Sequence, residues 1–97
     1  MTSIELEIRN PSGLHARPAA LFVRTAGAHR SRIRIANLTR GGQDVDAKSL
    51  LGVLGLGISS GHRIAVSAEG EDETDAIEAL RRAVNDGLGE SLDPVGG

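Results

Sequence analysis

A histidine and an arginine two positions apart, His15 and Arg17, precede an apolar run in the segment Gly13-Leu14-His15-Ala16-Arg17-Pro18-Ala19-Ala20. Pro18 suits the first turn of a helix, so the pair falls where a helix begins. A helix start leaves N–H groups without intrahelical partners and carries the positive end of the macrodipole, which favours an anion. An unprotonated imidazole nitrogen is a nucleophile toward phosphorus, and a guanidinium offers a fork of donors to phosphate oxygens. The backbone N–H groups of Ala16 and Arg17 would aim at the same anion. Phosphoryl transfer is mainly positioning and charge stabilisation, so these few residues suffice to carry a phosphoryl group. The plainer reading is that His15 caps the helix and Arg17 is a solvated first-turn cation.

Ser49 also has two compatible readings. Its hydroxyl can cap a short helix, or it can accept a phosphate from a regulatory kinase, adding about −1.5 to −2 charge at a helix start that tolerates it. Leu50, Leu51, Val53, Leu54 and Leu56 crowd a segment too short to bury every face against one sheet. Either all lie in a deeply set helix, or some form an exposed patch for a partner. Ala20, Leu21 and Arg24 point away from the expected buried stripe of the first helix and would extend such a patch. His29 and His62 read as solvent-facing loop residues. Three scattered histidines without cysteine make no metal site. The glycines at 41, 42, 52, 55 and 57 lack the spacing of a nucleotide-binding loop, and no serine triad is apparent.

These residues need elements to hold them. Ile4, Leu6 and Ile8 alternate with charged neighbours, as do Ile33 with Ile35 and Ile64 with Val66 and Ala68, the period of strands with one buried face. Ala19, Phe22, Val23 and Ala26 recur at helical spacing and end near Gly27. Thr39-Arg40-Gly41-Gly42 turns the second strand into a short third one around Val45. Lys48 to Leu54 reads as a short helix opened by Ser49. The acidic run Glu69-Gly70-Glu71-Asp72-Glu73 sets negative charge at the start of a last helix through Ile77, Leu80, Val84 and Leu88. The order is β-α-β-β-α-β-α, an α+β open-faced sandwich over residues 1–89, followed by a flexible tail over 90–97.

The 97 residues make one domain, and a 39% hydrophobic content fills a core without staples. The absence of cysteine fits a reducing compartment, and no stretch resembles a membrane span or a signal peptide. A cytoplasmic protein with no membrane insertion is expected. A net charge of −2 and a single aromatic residue, Phe22, leave no footprint for nucleic acid.

Asn10-Pro11-Ser12-Gly13-Leu14-His15-Ala16-Arg17-Pro18-Ala19-Ala20 and Ala47-Lys48-Ser49-Leu50-Leu51-Gly52-Val53 resemble the two signatures of the histidine phosphocarrier (HPr) family of the bacterial sugar phosphotransferase system. Ser67-Ala68-Glu69-Gly70-Glu71-Asp72-Glu73 is similar to a third common stretch of that family. The resemblance implies four antiparallel strands with three helices on one face. It implies a relay in which Enzyme I, charged from phosphoenolpyruvate, phosphorylates His15 at Nδ1, Arg17 steadies the phosphate, and sugar-specific acceptor proteins take the group on. It makes Ser49 a regulatory site for a serine kinase and phosphatase. Ala20, Arg24, Lys48, Leu50, Leu51 and Leu54 fall where the family docks its partners. No cofactor is implied beyond the covalent phosphoryl group, and a carrier that must keep its patch free is expected to be monomeric. Residues 37–42 form a longer hairpin connection than many free-standing members have. They look more like carrier domains of multidomain phosphoryl-transfer proteins, including the donor subunit of the phosphoenolpyruvate-dependent dihydroxyacetone kinase. A carrier for that kinase, a serine-regulated binding module and a metabolite-anion binder are the competing readings.

Overall fold

A computed structural model describes residues 1–90. Four strands, β1 (Thr2–Glu7), β2 (Arg32–Asn37), β3 (Val45–Asp46) and β4 (Arg63–Glu69), alternate with three helices, α1 (Ala16–Gly27), α2 (Leu50–Gly55) and α3 (Glu73–Asn85). The strands form one sheet in the order β1-β4-β2-β3, every neighbouring pair antiparallel. α1 therefore links two parallel strands that flank β4, and α2 carries the chain from the β3 edge past β2 into the same gap. This is a doubled split βαβ arrangement.

The alternation read from sequence sets the register. Ile4 faces Val66 and Leu6 faces Ile64 across β1 and β4, while Ile35 pairs with the same Val66 and Ile33 with Ala68 across β2 and β4. One face of the sheet is thus continuously apolar. The other places Glu7 opposite Arg63 and Arg32 opposite Glu69, favourable cross-strand charge pairs. Ala19, Phe22 and Ala26 of α1 and Ala76, Ile77, Leu80 and Val84 of α3 close over the apolar face. Val23 is only half-buried, so the stripe of α1 is narrower than its spacing suggests.

Two other expectations are corrected. α2 runs Leu50–Gly55 rather than from Lys48 to Leu54, because Ser49 is its N-cap: the Oγ accepts the Gly52 N–H at 3.1 Å. Glu90, assigned from sequence to a flexible tail, is held by hydrogen bonds from Asn10 and Ser12; residues 91–97 of that expectation lie outside the described residues.

The acidic run before α3 does more than complement a helix dipole. The Asp72 carboxylate accepts the Arg30 and Ser31 N–H groups, each at 2.9 Å, and the Ser31 hydroxyl, which pins the α1–β2 connection to the start of α3. Glu73 accepts the Thr2 hydroxyl at 2.6 Å and the Gly70 N–H at 3.2 Å, tying the first strand to the same corner. Hydrogen bonding to the charged form lowers both acids to about 2, led by Ser31 for Asp72 and by Thr2 for Glu73.

Candidate functional site

His15 stands at the mouth of α1 with an extended backbone, φ −126° and ψ 155°, and its side chain makes no capping hydrogen bond. His15 therefore occupies the N-cap position, but its side chain takes no part in capping. The ring is exposed, as are Ala16 and Arg17, the first two residues of the helix, whose N–H groups have no intrahelical acceptor. Ala16 has φ +51°, a left-handed conformation costing an alanine roughly 1–2 kcal/mol. Such strain persists only where its surroundings hold it, and it gathers at functional sites.

The surroundings here are specific. The Gly13 N–H donates to the Asn10 carbonyl at 3.1 Å, the Asn10 side-chain amide returns a bond to the Gly13 carbonyl at 2.9 Å, and the Leu14 N–H donates to the Ile58 carbonyl at 2.9 Å. Leu14 is fully buried, so the chain enters the core one residue before the exposed histidine. Gly13 has φ +65°, and a Cβ there would lie 2.4 Å from the Ile58 oxygen. Only glycine lets the two backbones approach this closely.

Arg17 shares a surface cavity of about 300 Å³ with Ala20, Leu21, Arg24, Leu88 and Gly89. Positions 17, 20, 21 and 24 lie on one face of α1, so two arginines share that face with the apolar Ala20 and Leu21. Among the described residues neither arginine has a carboxylate partner within ion-pair distance. The face is one that a phosphate or an acidic partner surface would complement.

Beside it, α2 packs against α1. Val53 is buried, Leu54 and Leu56 are half-buried, and Leu50 and Leu51 are 42% and 84% exposed. The leucine run therefore divides: one side joins the core and the other faces out. Leu51 borders a second cavity, about 600 Å³, together with Val45, Leu56 and Arg40 of the hairpin connection. Lys48 is placed differently from the other candidate docking residues. It is half-buried and donates from Nζ to the His29 carbonyl at 2.7 Å, at the opposite end of α1 from His15.

The two remaining histidines are not the solvent-facing loop residues expected. Both are half-buried. The Nδ1 of His29 lies 3.0 Å from the Thr25 carbonyl of the last turn of α1. His62 holds its lone pair on Nδ1, because the Ser59 N–H at 3.1 Å and the Asn37 amide nitrogen at 3.2 Å both donate to it. Asn37 is buried and uses its whole amide, donating also to the Leu56 carbonyl and accepting the Thr39 and Arg40 N–H groups. It anchors the long hairpin connection to the end of α2. Neither Asn37 nor Asn10 stands out in the sequence as a site-forming residue: both sit beside turn signals, and Asn10 also opens the stretch that resembles the family's first signature.

The sequence matches the family described as "PTS HPr component phosphorylation site" over residues 2–86. It is 48% identical over 88 residues to the multiphosphoryl transfer protein of Haemophilus influenzae, a match covering 91% of this chain and 18% of that protein, so the chain spans under a fifth of that relative's length. In structure it resembles HPr from Thermoanaerobacter tengcongensis, with a TM-score of 0.88, 44% identity and coverage of 94% of this chain and 99% of that one. It also resembles Crh, the catabolite-repression protein of Bacillus subtilis, whose crystal structure is a dimer with a swapping domain. There the TM-score is 0.68 and the identity 38%, with 89% of this chain and 95% of that one covered.

Proposed function

Because the chain belongs to the HPr family of the phosphotransferase system, we propose that it is a phosphocarrier whose His15 takes a phosphoryl group from Enzyme I and yields it to a sugar-specific acceptor protein. The observation that carries this reading is the exposed, uncapped His15 side chain at the start of α1 with Arg17 in the first turn. A lone pair on the ring nitrogen forms the new N–P bond as the bond from phosphorus to the donor's leaving atom breaks, its electron pair returning to the donor. Arg17 and the N–H groups of Ala16 and Arg17 meet the charge on the phosphoryl oxygens. The second transfer reverses these roles, and Nδ1 is the nitrogen the family resemblance assigns.

The exposed part of α2 supplies the surface a relay requires. Ala20, Arg24, Leu50, Leu51 and Leu54 form an apolar area edged by cations, suited to a partner face of apolar centre and acidic rim. The family match supports the sugar relay over the dihydroxyacetone-kinase and binding-module readings. Among the described residues no helix is long and apolar enough to cross a membrane, which accords with a cytoplasmic place for the relay. We take the working form as a monomer, and light scattering at micromolar concentration tests this against a swapped dimer of the Crh kind. Phosphorylation of Ser49 would add charge at the α2 N-terminus beside this area and repel an acidic partner.

Incubation with phosphoenolpyruvate and Enzyme I should produce an acid-labile, alkali-stable phosphate on the wild type and none on His15→Ala. Equal label on both proteins would defeat the carrier reading. Arg17→Ala should slow transfer without unfolding the domain, and an unchanged rate would remove Arg17 from its role.

A further inference from the structure

The loop before His15 is closed by a residue from the far end of the fold. The Glu90 Oε1 accepts the Asn10 side-chain amide and the Ser12 N–H, each at 3.0 Å, and the Oε2 accepts the Ser12 hydroxyl at 2.7 Å. One carboxylate thus binds two residues 78 and 80 positions away. The chain reaches there through three successive left-handed residues, Gly87 at φ +91°, Leu88 at +51° and Gly89 at +85°. Leu88 lacks a glycine's freedom and is held by complete burial, with its N–H on the Ala83 carbonyl at 3.0 Å. Leu88 and Gly89 also line the cavity that contains Arg17 and Arg24.

On the reading of His15 as the nucleophile, we propose that Glu90 is a positioning residue for phosphoryl transfer, clasping the loop of residues 10–14 so that His15 is presented at a fixed angle. The route is continuous. Glu90 holds the Asn10 amide, which also holds the Gly13 carbonyl; Gly13 and Leu14 are seated against Ile58; and His15 follows directly. Glu90 itself has no need to touch phosphorus. Transfer between two proteins depends on near-attack geometry, so freedom in this loop lowers the rate of the chemical step without changing how the donor docks. Docking draws instead on side chains of α1 and α2, and among the described residues the Glu90 carboxylate bonds only Asn10 and Ser12, although Leu88 and Gly89 before it border the α1 face.

The test is transfer from phosphorylated Enzyme I to the full chain, with donor concentration varied. Glu90→Ala should lower kcat about tenfold with KM unchanged, and amide exchange at Ser12 should accelerate. Glu90→Gln, whose carboxamide oxygen can still accept from Asn10 and from the Ser12 N–H, should recover most of the loss. A kcat for Glu90→Ala within about twofold of wild type, a loss carried in KM, or no rescue by Glu90→Gln would overturn the proposal. If Glu90→Ala fails to unfold cooperatively, Ser12→Ala carries the same test, since it deletes one bond to the carboxylate and leaves the others. The two hypotheses fail separately. Should His15 not be the nucleophile, the wild type takes no label or His15→Ala is labelled equally; should the clasp be inert, the wild type and Glu90→Ala are labelled at the same rate while His15→Ala stays unlabelled.

Discussion

Replacing Gly13 by alanine tests whether the close approach of two loops seats the histidine. The φ of +65° costs an alanine roughly 1–2 kcal/mol. The added Cβ would fall 2.4 Å from the Ile58 oxygen and 2.8 Å from the Ser59 Cα, both backbone atoms that cannot rotate aside. Relief requires a shift of the two loops, an overpacking cost of about 1–3 kcal/mol, and it strains the Leu14 N–H to Ile58 bond, worth about 1 kcal/mol. The sum is about 3–6 kcal/mol. Gly41 supplies the control, with a similar φ of +69° and nothing within 4 Å of its Cβ, so Gly41→Ala should cost only the conformational part, about 1–2 kcal/mol. Urea unfolding at 25 °C measures both. Far-UV circular dichroism is the probe, since the chain has no Trp or Tyr to report by fluorescence. Gly13→Ala should lower the midpoint well below that of Gly41→Ala with the slope unchanged. If the two variants lie within about 0.5 kcal/mol of each other, contact with Ile58 does not hold the loop and the argument for the site's rigidity fails.

Three further outcomes are expected. Ser49→Ala should cost about 1 kcal/mol in urea unfolding, through loss of the cap on Gly52, and Ser49→Asp should cost less because a carboxylate also caps; equal stability of Ser49→Ala and wild type would remove the cap from the account. Leu51→Ala, at an 84% exposed position, should change stability by less than about 0.5 kcal/mol yet raise KM for phosphorylated Enzyme I, and an unchanged KM would take Leu51 out of the docking area. Asp72 and Glu73 have folded pKa values of about 2 against usual values of 3.8 and 4.5, so the folded state binds fewer protons than the unfolded one across that interval. Their stabilisation is complete above about 4.5 and is lost as pH falls toward 2. The melting temperature should drop through this window, and by less in Asp72→Asn, which has one acid fewer to protonate; identical acid profiles for the two proteins would refute the assignment.

The features legible in the sequence are those written within one element. Alternation in residues 4–8, 33–35 and 64–68 placed three strands and their buried faces, because a period of two has one solution against a one-sided core. Pro18 and the 19-22-26 spacing placed α1, and with it the exposed position of His15. The leucines around α2 resisted reading for a physical reason. A helix of six residues has fewer than two turns, and every apolar residue in it is consistent with either face until its neighbours are known. Only the packing of α1 and β3 against it separates buried Val53 from exposed Leu51. His62 likewise carried no local sign that Asn37, on another strand, would occupy its ring nitrogen.

The missed residues share a character that bears on how the carrier site is built. Asn10, Asn37, Asp72 and Glu90 are polar groups that each have a partner distant in sequence, and each also hydrogen-bonds the backbone of a turn. The groups assigned to the chemistry are supplied by three consecutive residues, His15 to Arg17, and need only an exposed helix start. What that start cannot supply is a reason for Ala16 to remain left-handed, since relaxation of a free loop would release the strain. The Ile58 backbone on one side and the Glu90 carboxylate on the other remove that freedom. On the proposed relay two proteins must reach the histidine in turn, so the ring itself cannot be buried or hydrogen-bonded into place. Rigidity then has to be built into the loop behind it, and that is where the remote polar contacts gather.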